Sequence, residues 1–88
     1  MVEQHPVTPG WRSVGMCSDG DVFDLVGIKP WQHEWAPLGE RIVVPHPSYP
    51  SQRHDVGVWV IQTPDLTVRF AAGEVSNGAW AFFLPLDT

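Results

Sequence analysis

The residues able to do chemistry gather in two proline-rich stretches. Residues 45–55 (PHPSYPSQRHD) hold His46, Tyr49, Arg53, His54 and Asp55, and residues 29–37 (KPWQHEWAP) hold Trp31, His33 and Trp35. Imidazoles ligate metals and move protons, so His33, His46 and His54 have the donor types of a metal site. Zinc sites legible in a sequence carry tight pairs such as C-x-x-C or H-x-x-x-H, and the eight-residue gap between His46 and His54 has no such geometry. No metal and no cofactor is therefore expected. Asp19, Asp21 and Asp24 begin like a calcium loop, but the acid, glycine and glutamate that complete an EF-hand are missing. They read as a solvated turn.

Nucleophilic chemistry is equally thin. Cys17, His54 and Asp55 have the types of a thiol, a base and an orienting acid. Cys17 lies inside an apolar run, where a small buried thiol is the usual role. Glu34, Glu40 and Glu74 include no pair that spacing selects for glycoside hydrolysis, and so short a chain has little room for a cleft. The expectation is a protein that is not an enzyme. What remains in the two stretches is recognition: Trp, Tyr and Arg bury large areas while keeping a polar tip, and proline lowers the ordering cost of a loop. Trp31, His33, Trp35, His46, Tyr49, Arg53 and His54 are accordingly the candidate binding residues.

These loops must be held by strands. Helix formers are scarce, while Val, Trp, Phe, Gly and Pro are abundant, which indicates an all-β fold with at most one short helical turn. That turn belongs near Pro30, where Trp31 and Trp35 would share a face. A C-terminal three-stranded meander spans residues 56–85. Residues 63–66 (TPDL) suit a type I turn, pairing Ile61 with Val68 and Trp59 with Phe70. Asn77 and Gly78 suit a two-residue hairpin turn, which pairs Val75 with Trp80 and Gly73 with Phe82. Gly73 would then leave room for an aromatic ring.

Alternation sorts this meander into two apolar faces. Trp59, Ile61, Leu66, Val68, Phe70, Ala72 and Phe83 fall on one, and Val56, Val58, Val60, Ala71, Val75, Trp80, Phe82 and Leu84 on the other. A sheet with one solvated face would show polar residues along it, so both faces need a cover. A hairpin of residues 11–17 and 22–28 around the Asp19 to Asp21 turn is the expected cover. A short strand at 41–44 brings the total to about six, in a twisted antiparallel sheet curling into a barrel or a two-layer sandwich. Residues 1–10 read as an extended N-terminal arm, and 11–88 as one small β domain.

Charge limits the partners. Ten acids against five bases give a formal charge of −5, and the bases are scattered, which disfavours nucleic acid. No apolar stretch reaches the roughly 20 residues of a membrane span, and the first residues lack a secretory pattern. With a single cysteine, these features suggest a soluble cytoplasmic chain. The expected function is a small acidic protein-binding module that docks on a basic protein as an inhibitor, an immunity-type protein or an assembly subunit. A homodimer through an apolar sheet face is the other way to cover such a surface. The alternative is a small-ligand or carbohydrate-binding barrel with a Trp- and His-lined pocket.

Overall fold

A computed structural model of the chain describes residues 6–18 and 24–86. The described residues are all-β: β1 (Trp11–Ser18), β2 (Ala36–Pro45), β3 (Arg53–Gln62), β4 (Thr67–Ser76) and β5 (Ala79–Pro85), with one 3-10 turn at Pro30–Gln32. They form a single antiparallel sheet in the order β1-β5-β4-β3-β2. The expected turn near Pro30 is present, and five strands stand in place of about six. The sheet does not close into a barrel. Thr8, just before β1, reaches the opposite edge, donating its backbone N–H to the Val43 carbonyl at 2.9 Å and accepting the Val43 N–H on its hydroxyl at 3.0 Å.

The β3–β4 register is the one the turn chemistry dictates. Trp59 pairs with Phe70 and Ile61 with Val68, and the Thr63 hydroxyl accepts the Leu66 N–H at 3.0 Å to close the turn. The β4–β5 register is displaced by one residue. Glu74 pairs with Trp80, Gly73 with Ala81 and Ala72 with Phe82, while Val75 is passed over as a bulge before Ser76 pairs with Ala79. A two-residue turn does form at Asn77–Gly78, but it is not the expected type I′ turn with positive φ at both positions, since Gly78 at φ 76° has one and Asn77 does not. Since side-chain direction has a period of two, one extra residue flips all of β5.

The expected faces are corrected accordingly. Trp80, Phe82 and Leu84 join Ile61, Val68, Phe70 and Ala72 on a first face, and Phe83 joins Val56, Val58, Ala71, Val75 and Ala81 on a second. Gly73 faces no aromatic ring. A Cβ there would meet Val56 Cγ1 at 2.6 Å and Val56 Cβ at 2.9 Å, so the glycine makes room for the neighbouring strand.

The expected N-terminal hairpin also differs. β1 pairs with β5 across Trp11–Pro85 to Ser18–Ala79, with a bulge near Val14. Its alternation serves both faces, since Val14 and Cys17 pack on the first and Trp11 and Met16 on the second. Asp19 to Phe23 lie outside the described residues. Leu25 to Ile28, read as strand, instead double back: Leu25 donates to the Ile28 carbonyl at 2.6 Å and Ile28 to the Leu25 carbonyl at 2.8 Å. Gly27 at φ 87° and Val26 at φ 45° make the bend, and the Gly27 N–H is held by Asp24 Oδ1 at 2.6 Å. Leu25 and Ile28 are buried against the first face. Burying two such side chains stabilises by about 1.5–3 kcal/mol each, which outweighs the roughly 1–3 kcal/mol cost of a β-branched residue at positive φ.

β2 is longer than the expected 41–44 strand. It begins at Ala36, and residues between Pro37 and Arg41 bulge away from β3 around Gly39 at φ 78°. Pro37 and Pro45 are tolerated because β2 is an edge strand in the sheet order.

Two stability measurements follow from this packing. Gly73→Ala should destabilise the domain by about 1–3 kcal/mol in urea unfolding, and Val56→Ala in the same chain should recover part of that loss. Val26→Asn should raise stability by about 1 kcal/mol, because asparagine accepts the left-handed backbone and the exposed valine side chain gives up little.

Candidate functional site

The candidate residues separate into two clusters on opposite faces of the sheet. Ala36 pairs with Val60 at one end of β2 and Pro45 with Arg53 at the other, roughly 30 Å of strand apart. Trp31, His33 and Trp35 precede the first end. His46, Tyr49, Arg53 and His54 surround the second.

The histidine end is a tight proline-stiffened loop. Its backbone is self-bonded: His46 N–H to the Gln52 carbonyl at 3.1 Å, Tyr49 N–H to His46 at 3.2 Å and Gln52 N–H to Tyr49 at 2.9 Å. His46 is only 2% exposed, with Nε2 2.6 Å from Ser76 Oγ on β4 and Nδ1 3.0 Å from the Ser48 N–H. Tyr49 and His54 rings lie 4.9 and 5.6 Å from it. Tyr49 and Arg53 are exposed, and Arg53 donates to the Pro50 carbonyl and, at 3.4 Å, to that of Gln52. His54 is half-buried, and its Nε2 is buried without a hydrogen-bond partner.

A serine hydroxyl beside an imidazole nitrogen is the spacing of a nucleophile and its base, but the tautomer opposes that use. Nδ1 accepts the Ser48 N–H, so a neutral ring carries its proton on Nε2 and donates to Ser76 Oγ. A general base needs the reverse arrangement, with Nδ1–H steered by an acceptor. Asp55 does not supply one: it pairs with exposed Arg41 at 2.9 Å. Cys17 packs on the first face, whereas alternation from Val56 puts His54 on the second, so those two are not brought together. Among the described residues no group of three His, Cys, Asp or Glu side chains is placed to hold a metal. His46 thus ties the 46–52 loop to the end of β4.

The aromatic cluster is built on Trp35. Its indole N–H donates to the Pro30 carbonyl at 2.9 Å, which fixes the ring beneath the 3-10 turn. There it meets Trp59, Phe70, Trp80 and Phe82 edge to face, with centroids between 5.1 and 5.8 Å. Trp31 leans on Trp35 at 5.1 Å with an interplanar angle of 30°, and it is 41% exposed. Beside them runs an open groove of about 380 Å³ lined by His33, Glu34, Trp35, Ala36, Val60 and Gln62.

Another groove, of about 430 Å³, lies where Trp11, Glu40, Arg69 and Leu86 meet. The Arg69 guanidinium sits 5.0 Å from the Trp11 ring centre and 3.9 Å from Glu40. Sequence reasoning missed this trio, and it missed Ser76 as the partner of His46. Such contacts bridge distant strands and leave no local pattern. The roles of Trp59 and Trp80 in the aromatic cluster were obscured by the Val75 bulge.

No known protein family, curated protein or solved structure matches this chain. Among the described residues no helix is long and apolar enough to cross a membrane.

The tautomer assignment has a direct check. Nitrogen NMR of the imidazole is expected to show His46 in the Nε2–H form; a proton on Nδ1 would restore the base reading. Ser76→Ala removes the acceptor of a buried N–H and should cost about 1–3 kcal/mol in unfolding experiments.

Proposed function

We propose that this chain is a protein-binding module that docks on a basic protein through the face formed by Trp31 and Trp35, as an inhibitor, immunity-type protein or assembly subunit would. The observation that carries the reading is a large aromatic side chain left 41% exposed on a rigid support. Trp31 rests on Trp35, which the Pro30 carbonyl and four further rings hold in place. A ring presented this way adds contact area with little entropy left to lose, which is the property of an interface anchor.

Charge supplies the preference for a basic partner. Of the five bases, Arg41 is paired with Asp55, Arg69 with Glu40 and Trp11, and Arg53 with its own loop carbonyls. Two bases are thereby offset by carboxylates, within a sequence whose ten acids against five bases give an acidic excess of −5. The excess steers a cationic partner and is weakened by salt.

Affinity capture from the native host, with the full chain as bait, is expected to retain a basic protein that is released by raised salt and lost with Trp31→Ser. The circular dichroism of that variant should match the wild type. Trp35→Ser, by contrast, should destabilise the fold by about 3 kcal/mol or more. Capture indifferent to Trp31→Ser would remove this face from the interface. A Trp31-dependent signal on a glycan array would favour the carbohydrate reading, and concentration-dependent sedimentation of the pure chain would favour a homodimer.

A further inference from the structure

We infer that the groove beside Trp35 is an arginine pocket, which takes one arginine side chain of the basic partner; the inference rests on the docking reading above. Three polar residues, His33, Glu34 and Gln62, line the groove, and none of their side chains has an intramolecular hydrogen bond or ion pair among the described residues. The remaining walls are Trp35, Ala36 and Val60. A groove lined by an indole, a carboxylate and a side-chain amide offers the groups a guanidinium uses. The cation is planar, stacks on rings, and spreads five donors in a fork that one carboxylate and one carbonyl can share.

The wall is already organised. The Trp35 indole N–H is engaged by the Pro30 carbonyl, so its ring cannot turn to meet a ligand, and β2 pairing of Ala36 with Val60 fixes the floor. Glu34 contributes the charge that an arginine neutralises. An anionic ligand would meet that carboxylate with no lysine or arginine among the lining residues. A lysine offers a compact ammonium that cannot bridge separated acceptors as the fork does.

The test is a titration of the full-length chain with Ac-Gly-Arg-Gly-Arg-Gly-amide, followed by NMR shifts at the Trp35 indole and at the Glu34 and Gln62 amides. The same peptide with citrulline keeps the shape and removes the charge. The expected result is a saturable shift confined to the groove, absent with citrulline, with affinity about fivefold lower in Glu34→Gln, the size of an exposed charge contact. Shifts of equal size with citrulline, shifts mapping elsewhere, or no saturable shift with the arginine peptide would each overturn the pocket. The two readings fail separately. Host capture that depends on Trp31 but not on Glu34 keeps the docking face and discards the arginine; peptide binding as described, with capture indifferent to Trp31, discards the docking face.

Discussion

Because side chains alternate along a strand, the extra residue at Val75 determines where every side chain of β5 goes, and through them where the aromatic cluster can form. With the bulge, Trp80 and Phe82 stand on the same face as Trp59 and Phe70 and give Trp35 four rings to pack against. Without it they would point to the second face, which Ile42, Val44, Val56 and Val58 already line, and Phe83 would leave that face for the first. The bulge therefore gathers Trp80 and Phe82 with Trp35, Trp59 and Phe70 on one face.

Trp35 passes this constraint on to the surface. Burying its ring contributes about 1.5–3 kcal/mol, and well-placed ring pairs add about 0.5–1.5 kcal/mol each. Its N–H, which would be costly to bury alone, ties down the 3-10 turn. Trp31 is exposed because the space beneath it is taken, and His33 and Glu34 of the neighbouring groove are placed by the same segment. The proposed docking surface and the cover of the first face are thus one piece of chain.

The readable parts of this fold were those set by short-range chemistry. The Thr63 to Leu66 and Asn77–Gly78 turns, the 3-10 turn at Pro30 and the pairing of Trp59 with Phe70 all depend on residues a few positions apart. The β5 register escaped because a bulge has no obligatory residue type, and Val75 looks like any other strand valine. The segment around Leu25 has strand composition, yet Gly27 lets it reverse, and burial of Leu25 and Ile28 against the first face rewards that choice. Of the candidate site, residue types were legible but neighbourhood was not. One proline-rich stretch holds a buried histidine and an exposed tyrosine three positions apart, because Ser76, far along the chain, bonds only the first.

The pairing of β1 with β5 has a temporal side. Trp11 lies opposite Pro85, and the Leu86 N–H bonds the Gly10 carbonyl at 2.9 Å, whereas β2 to β5 follow one another as neighbours. On the ribosome β1 emerges early and has no hydrogen-bonding partner until β5 has left the exit tunnel. The meander can assemble hairpin by hairpin in the meantime, since its contacts are local. During that interval the nascent chain carries an unmatched strand with Trp11, Val14 and Met16 in the open, a window in which a chaperone has something to hold.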